Sequence, residues 1–204
     1  MGKKFVAVLV PFVTVIVASC GDSGEATESG LPSPSAPKSS SLVASFPPAP
    51  QQSESDHPIE FDPCVEIGDD LIEKSGFDPK SRERSSAEMV SPLITAIGCD
   101  FKRTAVSDGN KVITGGLSIK STNSTLAELH NSDSREIFDT TPIGDRAAAF
   151  YRTPKIPGRC SAEVETPDGV LAIDLTVFPG PIQVPPPCDQ IRDLAPLFAQ
   201  ALDQ

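Results

Sequence analysis

The chain has 204 residues, 17 basic and 28 acidic side chains, a net charge of −11 and no Trp. Charge of that sign repels nucleic acid and anionic headgroup surfaces, and an aromatic share of 5% leaves few rings on which sugars or bases could stack. The length suits one ordinary domain plus a tail.

Lys3 and Lys4 open the chain, and Phe5 to Val17 is apolar apart from Pro11 and Thr14. As a helix that run spans roughly 20 Å at about 1.5 Å per residue, short of the roughly 30 Å hydrocarbon core. It reads as the h-region of a signal peptide. Val17-Ala18-Ser19-Cys20 then resembles the lipobox of bacterial lipoproteins. The resemblance implies cleavage after residue 19, a diacylglyceryl group on the Cys20 thiol, and a protein held on the outer face of the cell membrane. Cysteine parity agrees. Of Cys20, Cys64, Cys99, Cys160 and Cys188, lipidation of Cys20 leaves four that can pair. Removal of residues 1–19 takes two Lys and no acids, so the mature chain carries 15 basic against 28 acidic side chains, or −13.

Residues 20–60 read as a disordered Pro/Ser-rich tether. Seven prolines are spread through it, from Pro32 to Pro58, and only Leu31, Leu42, Val43 and Phe46 are large and apolar before the stretch near residue 59. Such a segment cannot bury enough surface to offset its ordering entropy. As a random coil of about 40 residues it would span about 35 Å. Gly21-Asp22-Ser23-Gly24 also occurs around the nucleophile of chymotrypsin-like proteases. Here it lies in the tether, with no fold to aim a hydroxyl or build an oxyanion hole.

Residues 61–204 read as a single domain. Asp69 and Asp70 ahead of Leu71-Ile72, with Lys74 and Gly76 behind, predict a short helix over about 66–75. Phe77-Asp78-Pro79 reads as a turn, and 80–97 as irregular with a helical turn. Cys99, Phe101 and Arg103 alternate with Asp100 and Lys102 and predict a strand. Ser107-Asp108-Gly109-Asn110 is a hairpin turn signal, and Lys111 to Ser121 returns, with Gly115-Gly116 marking a bulge or bend. Ser124 or Thr125 caps a short helix through Leu129. Ile143 to Tyr151 is a turn running into a strand. Residues 160–166 and 170–178 form a hairpin around Pro167-Asp168-Gly169, with Leu171, Ile173, Leu175 and Val177 on one face. Cys188 to Leu202 carries an apolar stripe at helical period, interrupted by Pro196, which kinks or breaks the helix. The fold class is α+β: an antiparallel sheet with short helices and a C-terminal amphipathic helix packed on one face.

Asp62-Pro63-Cys64 before a short helix, Gly98-Cys99 opening a strand, the Ile143-Gly144-Asp145-Arg146-Ala147 turn, Cys160 opening a strand and Pro187-Cys188 opening the last helix occur in a familiar order. Together they resemble an uncharacterised family of actinobacterial cell-envelope lipoproteins, a domain of unknown function, over about residues 61–203. Phe101 stands where members more often carry Trp, and Pro196 departs from their Ala-rich helix. The resemblance implies no activity, ligand or catalytic residue. Four domain cysteines allow three pairings. The expected ones are Cys64–Cys99 and Cys160–Cys188, the nearest in sequence, each tying a helix start to a strand start.

The residues that carry chemistry are sparse. No phosphate-binding loop, dinucleotide fingerprint, zinc-protease motif, nucleophile elbow or EF-hand loop occurs. The cysteine spacing does not suit zinc, and neither His57 nor His130 lies near a Cys. His57 falls beside the tether and His130 at the end of a short helix, on the surface. Asp69/Asp70 read as charge at a helix start, and Glu163 and Glu165 as solvated on the outward face of a strand. No catalytic residue, metal ligand or cofactor is expected. The expected role is a non-enzymatic envelope module, anchored to the membrane through Cys20 and binding a lipid, a wall component or an envelope protein. The alternative is a wall-directed hydrolase with two acids converging in a cleft, one of raised pKa.

Overall fold

The computed structural model describes residues 45–203. The signal segment, Cys20, the Gly21–Gly24 motif and the tether up to residue 44 lie outside the described residues. Among those described, eight strands form one antiparallel sheet in the order β1-β3-β4-β8-β7-β6-β5, with β2 beside β3. They are β1 (Asp78–Arg84), β2 (Met89–Val90), β3 (Thr95–Ser107), β4 (Asn110–Thr122), β5 (Glu136–Asp139), β6 (Ala148–Arg152), β7 (Arg159–Thr166) and β8 (Gly169–Val177).

Period-two patterning decides the faces. Phe101, Leu117, Ile119, Leu171, Ile173 and Leu175 are buried in one cluster on one face of the sheet. Helices α1 (Pro63–Glu66), α2 (Asp69–Lys74) and α4 (Pro187–Ala199) cover that face. Ile67 comes from just past α1, Ile72 from α2, and Ile191, Leu194 and Phe198 from α4. Each large side chain so buried contributes about 1.5–3 kcal/mol relative to exposure.

The start of helix α1 is fixed by its N-cap, and the chain turns extended at Ile67. Asp62 accepts from the Cys64 N–H at 3.0 Å, Pro63 sits at the first turn, and Glu66 Oε1 accepts from the Asp62 N–H at 2.7 Å. Gly68 separates α1 from α2, so the helix expected over about 66–75 is α2, starting at Asp69, and α1 is an additional helix ahead of it. Helix α4 runs through Pro196 and passes into a 3-10 turn at Gln200–Asp203. Burial of Leu194, Ala195 and Phe198 on either side offsets the backbone bond that Pro196 cannot make.

Cys64 pairs with Cys99 and Cys160 with Cys188, each with Cα atoms 5.1 Å apart. The first bond joins α1 to β3 and the second joins β7 to α4. Cys99 lies inside β3 rather than at its start, because the strand begins at Thr95.

The structure differs from expectation over three stretches. Residues 78–97, expected to be a turn and irregular chain, contain β1, β2 and the start of β3. Arg84 opposite Cys99 and Met89 opposite Ala96 fix these pairings. Strand β5 was not expected; it pairs with β6, Glu136 opposite Arg152. The third difference is upstream of Phe61. Phe46 packs against the main core, and the Arg84 Nε–H donates to the Pro47 carbonyl at 3.0 Å. Gln52 donates to the Ile59 carbonyl and accepts from its N–H, at 3.0 and 2.7 Å. Ser55 and Thr95 hydroxyls share a 2.6 Å hydrogen bond. These contacts bind residues 46–60 to the domain.

The expected β3–β4 turn is present. Asp108 and Gly109 both have positive φ, 51° and 77°, the type I′ geometry that matches strand twist. The expected bulge is also there. Arg103 faces Gly115 but Thr104 faces Ile113, so Thr114 is the extra residue.

A groove on the second face of the sheet

The face of the sheet away from α1, α2 and α4 carries a polar row. Glu83, Asp100, Ser118, Asp174, Ser161 and Tyr151 occupy successive register positions across β1, β3, β4, β8, β7 and β6. Each alternates with core residues on its own strand, as Asp100 does with Cys99 and Phe101, so the row points away from the main core.

A small helix divides this face. Helix α3 (Leu126–His130) starts with a capping box, in which Thr125 and Glu128 each bond the other's backbone N–H. Its Leu129 is buried with Ala149 and Tyr151, and Leu126 and Ile137 pack alongside. Ala149 and Tyr151 alternate with Ala148 and Phe150 of the main core, so α3 covers the second face over β6 and its neighbours. His130 at its end is exposed.

Beneath the chain leaving α3 lies Glu163, which is 4% exposed. This corrects the expectation of a solvated carboxylate; only Glu165 is exposed. Glu163 Oε1 accepts from the Tyr151 hydroxyl and from Arg135, each at 3.0 Å. The Arg135 guanidinium lies 4.9 Å from the Tyr151 ring centre. Burial pushes the Glu163 carboxyl above its ordinary value, and the Arg135 charge and the Tyr151 hydrogen bond, which pull the other way, do not offset it. Burial likewise raises the Tyr151 hydroxyl. An acid raised in the folded state stabilises it while protonated, and that contribution is lost as pH rises through the folded value. Glu163→Gln is therefore expected to flatten a decline in stability over the interval that begins at the ordinary glutamate value and runs upward in pH. Thermal midpoints measured across that interval check it; a decline equally steep in the variant would assign it to other groups.

Over β3, β4 and β8 the second face is open and forms a groove of about 430 Å³. Asp100, Ser118 and Asp174 lie on its floor, the Ser85–Ala87 link forms one wall, and Ile113 and Phe178 stand at the apolar end. Gly116 has no side chain there, and a Cβ at that position would lie 3.7 Å from the Phe178 ring. Phe178 is 41% and Ile113 52% exposed. Asp174 accepts from Ser161 at 2.5 Å and from Lys120 at 3.1 Å. Asp100 Oδ1 and Ser118 Oγ are shielded from water and have no hydrogen-bond partner. The site is therefore a shallow channel with a polar floor and one apolar end.

The structure disperses the other expected sites. Asp69 pairs with Arg82 at 2.6 Å, which gives it a structural role beyond charge at a helix start. His57 is exposed. Among the described residues no group of three His, Cys, Asp or Glu side chains could hold a metal ion, and no helix is long and apolar enough to cross a membrane. Sequence reasoning placed Asp100 on the strand face opposite Cys99 and Phe101 but did not join it to Ser118 and Asp174.

A family model described as "Protein of unknown function (DUF3558)" matches residues 15–200, which include every strand of the sheet and the whole groove. No curated protein and no solved structure matches the chain. The family assignment covers the capped Asp62-Pro63-Cys64 start, both cysteine pairs and the terminal helix. The chain belongs to the DUF3558 family of proteins of unknown function.

Proposed function

We propose that the protein is a lipid-anchored module of an actinobacterial cell envelope that binds a ligand in the groove over β3, β4 and β8. The groove carries this reading. It joins a concave surface of small-molecule size, a polar floor with unpartnered atoms, and exposed apolar side chains at one end. The order of basic start, apolar run, Val17-Ala18-Ser19-Cys20 and Pro-rich segment supports the anchor. The residues between Cys20 and Phe46 are the proposed leash.

A wall hydrolase is the second reading. Asp100 and Asp174 lie on strands either side of β4, about 9.6 Å apart by strand spacing, and paired acids are what glycoside hydrolysis uses. The carboxyl that burial raises is Glu163, however, under the chain from α3 and outside the groove lining. The raised acid and the open site do not coincide, and binding is the reading we carry forward.

Cys20→Ala tests the anchor. The variant is expected to leave the membrane fraction or to accumulate as uncleaved precursor in cells, as judged by fractionation and intact mass. A variant still cleaved after residue 19 and still acylated would contradict the lipoprotein reading.

A further inference from the structure

Most charges around the groove are matched within the protein. Lys102 Nζ lies 2.6 Å from Glu83, and Lys120 Nζ lies 3.1 Å from Asp174. Arg159 donates to the neutral Thr176 hydroxyl at 3.2 Å, so its charge is not matched by an acid, but it stands on β7, three strands from β3 and Asp100. Asp100 is the groove acid with no cation beside it. Its Oδ1 lacks a hydrogen-bond partner, and so does the hydroxyl of Ser118, directly opposite it in the β3–β4 register. An unmet buried polar group destabilises the folded state, more so when it is charged. Both residues also line the groove, so a cationic donor supplied there by a ligand would offset part of that cost. Away from this polar spot, Gly116 leaves the floor bare, and Phe178 and Ile113 offer exposed apolar surface.

We propose that the groove binds a small amphiphile whose protonated amine docks on Asp100 and Ser118 and whose hydrocarbon part lies over Gly116 against Phe178 and Ile113. The proposal rests on the groove being the binding site. Charge complementarity selects the head group. A carboxylate or phosphate head at this spot would face Asp100 with Lys102 and Lys120 already engaged and Arg159 three strands away. A hydroxyl head would donate one hydrogen bond and leave the charge unmatched. An ammonium carries three donors and a positive charge, enough for the carboxylate and the serine oxygen together, and charge-assisted bonds are roughly twice as strong as neutral ones.

The full acylated chain, embedded in phosphatidylcholine nanodiscs, is titrated with octylamine, 1-octanol and octanoate, and the thermal midpoint of the domain reports occupancy. Octylamine is expected to bind at least about tenfold more tightly than octanoate, the scale of one charge-assisted contact. Asp100→Asn should abolish that preference, and Phe178→Ala should weaken octylamine several-fold. Ser118→Ala, which adds no volume, should weaken it as well and serves if Asp100→Asn does not fold. Equal responses to octylamine and octanoate, or an unchanged preference in Asp100→Asn, overturn the head-group assignment and leave the groove as a site. No response to any probe also overturns it, and the groove reading is then decided by what co-purifies with the protein.

Discussion

Arg82→Ala is expected to lower the unfolding free energy by about 3–5 kcal/mol, the range for breaking a buried ion pair. The Arg82 side chain is fully buried and closes three gaps at once. Its guanidinium donates to the Cys64 carbonyl at 2.9 Å, to the Ile67 carbonyl at 3.0 Å and to Asp69 at 2.6 Å. The two carbonyls come from the end of α1, where helical backbone has no partner of its own. The guanidinium also lies 5.0 Å from the Phe101 ring centre, where it packs β1 onto the core. Truncation leaves a cavity and unmet carbonyls together. Typical domains have only about 5–15 kcal/mol in total, so the variant should unfold at markedly lower urea. Arg82→Lys keeps the charge but lacks the planar fork and should fall between the two. Equilibrium urea unfolding measures both; a loss below about 1 kcal/mol, the size of an exposed pair, would contradict the role given to Arg82.

The double substitution Cys64→Ala with Cys99→Ala should cost about as much. The bond closes a loop with a sequence separation of 35, worth about 4 kcal/mol on the chain-entropy model. The Cys160–Cys188 bond spans 28 and should contribute about 3.5 kcal/mol on the same model. Changing both partners avoids a free thiol that could exchange with the other pair. The effects should be close to additive, because one bond joins α1 to β3 and the other β7 to α4. Urea unfolding under oxidising conditions gives the magnitudes, and peptide mapping without reductant gives the pairing. Peptides joining Cys64 to Cys160 would contradict it.

The β7–β8 hairpin shows what sequence alone can specify. Pro167-Asp168-Gly169 is a tight turn, and Thr166 faces Gly169. Counting back from that pair places Ser161 opposite Asp174, as found. The same counting fails in the β3–β4 hairpin. From Ser107 opposite Asn110 it would pair Asp100 with Leu117, one polar and one apolar. Thr114 is an extra residue, and the bulge restores Asp100 to Ser118. Gly115-Gly116 signalled a bulge but not its position, and one residue of slip reverses every side chain. The groove floor depends on that one residue.

Strands β1 and β2 were hidden for a different reason. Strand β1 is charged and polar with Pro79 inside it, and β2 is only Met89-Val90 with Pro92 following, so neither shows the apolar alternation of a half-buried strand. Tertiary contacts hold β1 instead, above all those of Arg82 and Arg84, and pairing with β3 places β2. Arg84 binds both Asp62 oxygens, at 2.8 and 2.6 Å. Glu163 was misread because its neighbours on the outward face are polar. Alternation shows that Glu163 points away from the main core, but not that the chain leaving α3 closes over it. Where helices lie on the main face, periodicity was sufficient. Where a short element covers part of the second face, it was not.

The most direct measurement is mass spectrometry of what accompanies the full-length protein, extracted from its native membranes, in wild type and in Phe178→Ala. Phe178 is exposed, so its loss should leave the fold intact while removing apolar surface from the groove. A small amine-bearing amphiphile is expected with the wild type, at an occupancy reduced several-fold in the variant. Equal occupancy in the two proteins, or no bound molecule in either, would contradict the groove as the binding site.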